Sequence, residues 1–146
     1  MKPIYTIGFT QKTAKQFFET LGKSGAKYLL DIRLNNTSQL AGYTKKNDLK
    51  YLLKKLLNME YREIPELAPT KDLLTSYRQT KDWDSYEKAY SALLAQRSPE
   101  SAIQNAWLEQ GVVLLCSESK PDHCHRRLAA EYLARKAKNR ITVIHL

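Results

Sequence analysis

The sequence predicts an α/β fold: one three-layer α/β/α domain over residues 1–146, with a mostly parallel sheet of about five strands. Three observations carry this. Short apolar runs alternate with amphipathic helical stretches from end to end. The run in Lys27–Arg33 is apolar on both faces until Asp31, as in strands of a covered parallel sheet. No repeat, low-complexity tract or linker interrupts the alternation, so no domain boundary is placed.

The elements follow in order. Lys2–Gly8 is a short apolar run closed by glycine, a first strand. Ala14, Phe17, Phe18 and Leu21 recur at helical spacing, with Gly22 and Gly25 as stop signals. Lys27–Arg33 reads as a second strand, and Leu34–Thr44, with its Asn, Ser, Gly and Thr, as a loop. Leu49, Leu52, Leu53, Leu56 and Leu57 form the stripe of an amphipathic helix whose outer face carries Lys46, Lys50, Lys54 and Lys55. Tyr61–Ile64 reads as a third strand before Pro65. Residues 70–110 read as mostly helical, with one stripe through Tyr86, Ala89, Tyr90, Leu93 and Leu94 and another through Ile103, Ala106 and Trp107; Pro99 suits a first helical turn. Gly111–Cys116 is a strand. A helix follows from the Pro121–Arg126 segment to about Lys138, with Leu128, Tyr132 and Leu133 inward, and Arg140–His145 is a last strand.

Composition sets the outer limits. At 146 residues, 42% hydrophobic and 27% charged, the chain is ordinary globular material. A chain of this length can bury about 68–70% of its unfolded surface and requires neither a metal nor a disulfide to fold. No apolar run approaches the roughly 18 residues of a membrane span, and the opening MKPIYTIGFT is too short and polar for a secretory signal; a cytoplasmic location is expected. Lys and Arg number 24 against 15 Asp and Glu, a net charge of +9, which invites a polyanionic partner or merely solvates helix faces. The two cysteines, Cys116 and Cys124, sit close together in a chain expected to be cytosolic, so they read as reduced, metal-binding or redox-active rather than as a structural disulfide.

Ligands of open parallel sheets bind at the carboxyl ends of the strands. That rule selects Thr6 to Gly8, Asp31 and Arg33, Cys116 and Glu118, and the helix start at Pro121–Arg126. Ten residues there hold both cysteines and two of the three histidines. The candidate catalytic residues are therefore Cys116, Cys124, His125, Glu118 and Asp31; the candidate ligand-binding residues are Thr6, Arg33 and Arg126. Cys124 is expected in the first helical turn, where backbone N–H groups and a neighbouring Arg126 or Arg127 favour a thiolate or hold a bound anion. Each residue also has a plain reading. Cys116 ends an apolar run as a small buried hydrophobe does, Asp122 suits an N-cap, and Asp31 with Arg33 or Arg126, and Glu118 with Arg33 or His125, suit a structural ion network.

Cys116, Cys124, His125 and His123 are zinc-type ligands. Their spacing matches no common paired zinc motif, and helical neighbours point about 100° apart, so no metal ligand is assigned and no cofactor is named. The glycines at 8, 22, 25, 42 and 111 form neither G-x-G-x-x-G nor a P-loop, and no G-x-S-x-G elbow is present. A Cys-x5-Arg loop is absent as well: Asp122 and Ala130 stand six residues after the two cysteines.

Thr6-Ile-Gly-Phe-Thr10, Asp31-Ile-Arg33, Tyr61 through Pro65-Glu-Leu67, Leu114-Leu-Cys-Ser-Glu118 and Cys124-His-Arg126 occur in that order. The ordered set resembles the DUF488 family of small, mostly prokaryotic proteins of uncharacterised function, from about Ile4 to His145. The resemblance implies an α/β three-layer fold and marks Thr6, Asp31, Arg33, Cys116, Glu118, Cys124, His125 and Arg126 as positions matching family motifs. The chain departs from the family pattern at Phe9, usually His or Tyr, and at Ala68-Pro69, usually Gly-Gly.

The residues thus favour an enzyme acting on an anionic, phosphate-bearing substrate, with nucleotides and nucleic acid among the candidates. The alternative is a non-catalytic module for nucleic acid or another anionic ligand. There, Lys45, Lys46, Lys50, Lys54 and Lys55, and Lys120, Arg127, Arg135, Lys136, Lys138 and Arg140, would contact phosphates. Tyr43, Tyr61, Tyr77 and Trp83 would stack bases if exposed.

Overall fold

The computed structural model describes residues 2–37, 42–118, 120–137 and 140–146. Its strands are β1 (Ile4–Gly8), β2 (Tyr28–Asp31), β3 (Glu60–Glu63), β4 (Val112–Cys116) and β5 (Val143–His145), in the order β3-β2-β4-β1-β5. Every pairing is parallel. Its helices are α1 (Ala14–Ser24), α2 (Lys46–Leu57), α3 (Lys71–Thr80), α4 (Trp83–Arg97), α5 (Asn105–Gln110) and α6 (His125–Lys136). The expected α/β class and parallel sheet are both present. Lys138, assigned to the end of the last helix and to a basic group, lies outside the described residues.

Strand side chains alternate between faces, and the sheet divides its core accordingly. Ile4, Leu30, Val112 and Leu114 face α4 and α6, meeting Tyr86, Tyr90, Leu94, Leu128 and Leu133. Ile7, Leu29, Val113 and Leu115 face α1 and α2, meeting Phe17, Phe18, Leu21, Leu49 and Leu53. All five residues of β4 are buried, which explains its unbroken apolar run.

Three local expectations change. Gly22 does not stop the first helix; α1 runs on to Ser24 and ends at Gly25, whose φ of 70° is the left-handed conformation glycine adopts most readily. A Cβ at Gly22 would lie 3.2 Å from Leu57, so its role is close packing of α1 on α2. In the α2 stripe, Leu49 and Leu53 are fully buried while Leu56 is 57% exposed. The last helix begins at His125, with Cys124 as its N-cap in extended backbone (φ −135°, ψ 140°).

The register sets the carboxyl edge. Gly8 of β1 is level with Cys116 of β4, and Asp31 of β2 with Leu115. A Cβ on Gly8 would stand 1.6 Å from the Glu118 carbonyl oxygen and 2.4 Å from Arg126 Nη1. Gly8 therefore leaves the space through which the chain after β4 turns back. Gly8→Ala forces backbone apart, and we expect it to destabilise the protein by about 3 kcal/mol or more, a fall in Tm on the order of 10 °C; thermal unfolding of the variant measures it.

Candidate functional site

The loop after β4 is held on both sides. Thr10 N–H and Oγ1 both donate to the Ser117 carbonyl, at 3.0 and 2.5 Å. Arg126, fully buried, donates from Nη1 to the Glu118 carbonyl. These anchors return the chain to the sheet edge, where Cys124 N–H donates to the Pro121 carbonyl at 3.2 Å.

The two sulfurs consequently meet. Cys124 Sγ donates to Cys116 Sγ at 3.0 Å, and both thiols are buried and unlinked. Cys116 Sγ also lies 3.5 Å from His125 Nδ1. His125 Nε2 is 2.8 Å from the Ile32 carbonyl oxygen, which can only accept. Nε2 therefore carries a proton, and Nδ1 faces the sulfur.

These contacts separate the two thiols. Donation from Cys124 holds the Cys116 pKa well below the usual thiol value; burial opposes this, and the charge and hydrogen bond of His125 and the Glu118 backbone N–H reinforce it. The same bond, with burial, pushes Cys124 well up, so Cys124 keeps its proton. Burial pulls the His125 pKa down, but the Cys116 thiolate and the Ile32 carbonyl outweigh it and the net shift is upward. These directions place negative charge more easily on Cys116 than on Cys124, with His125 Nδ1 beside it.

A second network stands at the end of β2. Asp31 accepts from Arg33 Nε at 2.9 Å, Arg33 Nη2 at 2.8 Å and the Arg33 backbone N–H at 3.1 Å. Tyr61 Oη donates to Asp31 Oδ2, and burial followed by the Asp31 charge raises the Tyr61 pKa. The Asp31–Arg33 pair is a buried salt bridge, with side chains 0% and 3% exposed. Phe9, at the position of one family departure, lies under the guanidinium with its centroid 5.7 Å from Cζ. Arg33 Nη1 is buried and has no hydrogen-bond partner among the described residues.

Both networks reach one cavity of about 940 Å³ at the carboxyl edge of β2 and β4. Of the expected residues, Arg33, Cys116, Glu118, Cys124 and His125 line it. Asp31 lies behind Arg33. Thr6 lies apart, bonded through Oγ1 to His145 Nδ1 at 2.6 Å across β1 and β5. Arg126 sits under the β4–α6 loop rather than on the cavity wall. Tyr77 and Trp83, flagged as stacking aromatics, are on the wall with Tyr86. Tyr43 packs on Phe17 and Phe18 instead, and Tyr61 is committed to Asp31.

Nothing in the residues pointed to the Ile32 carbonyl, because a backbone acceptor leaves no trace in residue type. It also did not single out Lys71, Arg78 and Lys81, which join Arg33 as cations of the lining; Glu118 is the carboxylate there. Ala68 and Pro69, the second family departure, are accommodated: Ala68 has an extended backbone (φ −75°, ψ 143°), its carbonyl accepts from Arg97 at 2.7 Å, and Pro69 lines the cavity.

Donor atoms of Cys116, Cys124 and His125 lie within 4.8 Å of one another, a set capable of holding a soft metal ion. Because Cys124 precedes the helix, the 100° separation of helical neighbours does not keep it apart from His125. Two thiolates on one zinc ion, however, stand roughly 3.8 Å apart, given zinc–sulfur bonds of about 2.3 Å. The observed 3.0 Å is shorter than that separation.

The buried Asp31–Arg33 pair carries a stability prediction. Arg33→Met strands the Asp31 carboxylate and should cost about 3–5 kcal/mol. Adding Asp31→Asn should recover a measurable part of that loss, so the double variant is more stable than the two single effects would sum to; denaturant unfolding of the three variants checks it.

No curated protein and no solved structure matches the chain. The model of a domain of unknown function, DUF488, matches residues 13–133, which span α1 through most of α6 and hold both cysteines, His125 and the Asp31–Arg33 pair. The chain belongs to the DUF488 family.

Proposed function

We propose that the protein is a thiol-dependent enzyme acting on an anionic substrate. The single observation that carries this reading is the Cys116 sulfur, flanked by the Cys124 thiol at 3.0 Å and His125 Nδ1 at 3.5 Å, on the wall of a cavity that also carries Arg33. Cys116 is the nucleophile, since a thiolate attacks and a thiol does not. Cys124 donates to it, and His125 stabilises its charge and supplies a proton to the leaving group. Arg33, with a buried and unpartnered Nη1, binds the anion; Asp31 positions Arg33 by fixing its other nitrogens. Lys71, Arg78 and Lys81 extend the positive lining, and a phosphate-bearing ligand such as a nucleotide suits it. Glu118 stands among these groups, able to take or orient a proton.

A non-catalytic nucleic-acid module draws less support. Of its two expected basic groups, Lys46, Lys50, Lys54 and Lys55 lie on α2 and Arg127, Arg135 and Lys136 on α6, and these helices pack on opposite faces of the sheet. Lys46 and Lys54 are paired with Glu63 and Glu60 at 2.6 and 2.5 Å, and Arg127 with Glu131 at 3.3 Å. They do not form one track for a phosphate backbone.

The test is alkylation by the anion iodoacetate, followed by peptide mass mapping. An ordinary thiol, with a pKa near 8.5, is only a few per cent thiolate at neutral pH. Cys116 should react on the order of tenfold faster than such a thiol at neutral pH, with little further gain on raising the pH, and inorganic phosphate should slow it. A Cys116 rate that climbs about tenfold per pH unit towards 8.5, or one indifferent to phosphate, would contradict the reading.

A further inference from the structure

Cys124 is more than the thiolate's hydrogen-bond donor needs to be. A backbone N–H or a serine hydroxyl would stabilise Cys116 equally well, without placing a second oxidisable sulfur at 3.0 Å. Forming the S–S bond requires an approach of about 1 Å, to a bond length near 2.05 Å. Little opposes that movement: Cys124 is the N-cap of α6 but makes no side-chain capping bond, so its sulfur can change partner without unpairing the helix start.

We propose that Cys116 and Cys124 are a two-electron dithiol–disulfide couple, and that the cavity takes an anionic disulfide as its substrate. The proposal rests on the thiolate reading above and adds the reaction class. Cys116 Sγ attacks one substrate sulfur. The substrate S–S bond breaks, a mixed disulfide forms on Cys116, and the first product thiolate leaves with its electron pair and takes the His125 proton. Cys124, whose sulfur lies with the His125 donor within a 4.8 Å cluster, passes its proton to the now neutral imidazole and attacks Cys116 Sγ. The second product thiolate departs and takes that proton. One disulfide is reduced to two thiols, and the chain is oxidised to the Cys116–Cys124 disulfide. An external thiol, acting by the same exchange, restores the dithiol.

Two features select the substrate. The cavity, at about 940 Å³, has room for an organic disulfide and far exceeds a peroxide. Its Arg33, Lys71, Arg78 and Lys81 favour anions. A neighbouring thiol resolves an adduct into a protein disulfide only when the adduct is itself bonded to Cys116 through sulfur or another good leaving atom, which fits a disulfide better than an ester or phosphate.

The test uses the reduced full chain with 5,5′-dithiobis(2-nitrobenzoate), a dianionic disulfide, against cystamine, a dicationic one. The expected result is release of two chromophore equivalents per chain, a protein mass lower by two hydrogens, and no retained adduct. Cys124→Ala should release one equivalent and keep the adduct on Cys116. The dianion should react at least about tenfold faster than cystamine at low ionic strength, with the gap narrowing as salt is added. Fast reaction of wild type that leaves a stable adduct on Cys116 overturns the couple while the thiolate reading stands. Slow reaction at Cys116 removes both. Thiols that react only after a chelator is added overturn the couple in favour of a metal centre.

Discussion

A guanidinium with no exposed surface holds this site in place. Burying a charge is expensive unless its hydrogen bonds are met, and Arg126 meets part of that demand with the Glu118 carbonyl. The contact is possible only because position 8 carries no side chain. The end of β1, the loop after β4 and the start of α6 are thereby locked together, with Thr10 adding its own bonds to Ser117. Cys124 arrives beside Cys116 as a consequence. Arg126 therefore shapes the thiol pair without facing the cavity, which is a different role from the ligand contact its place in the motif suggested.

Two buried networks then act from adjacent strands. Where β4 meets α6, the hydrogen bond between the two sulfurs lowers the pKa of Cys116 and raises that of Cys124, and the Ile32 carbonyl fixes the imidazole so that Nδ1 faces the Cys116 sulfur. At the end of β2, Asp31, itself bonded by Tyr61 of β3, holds the Arg33 guanidinium, leaving Nη1 without a partner among the described residues. Ile32 links them: its neighbours in the chain are Asp31 and Arg33, and its carbonyl orients His125. A shift of the β2 end would disturb the anion site and the thiolate together.

Much of this was legible in the residues. Alternating apolar runs and helical stripes led to the parallel α/β sheet, and the strand-end rule led to Asp31, Arg33, Cys116 and the Cys-His-Arg segment. What the sequence hid was of three kinds. Backbone partners such as the Ile32 carbonyl have no residue signature. Glycine is ambiguous: Gly25 ends α1 by its left-handed backbone, whereas Gly22 serves packing against Leu57. Helix boundaries depend on tertiary contacts, so Cys124, expected in the first helical turn, instead caps the helix from outside. That later helix start allows Cys124 and His125 to approach the same sulfur.

The chemistry of the site turns on the charge state of Cys116, and thiolate ultraviolet absorbance measured against pH tests it directly. The predicted result is a thiolate signal in the wild type that persists as pH falls well below the usual thiol range near 8.5, disappears in Cys116→Ser, and moves to higher pH in Cys124→Ala, where the donated hydrogen bond is gone. A wild-type signal that vanishes by neutral pH, or one unmoved by Cys124→Ala, would contradict it.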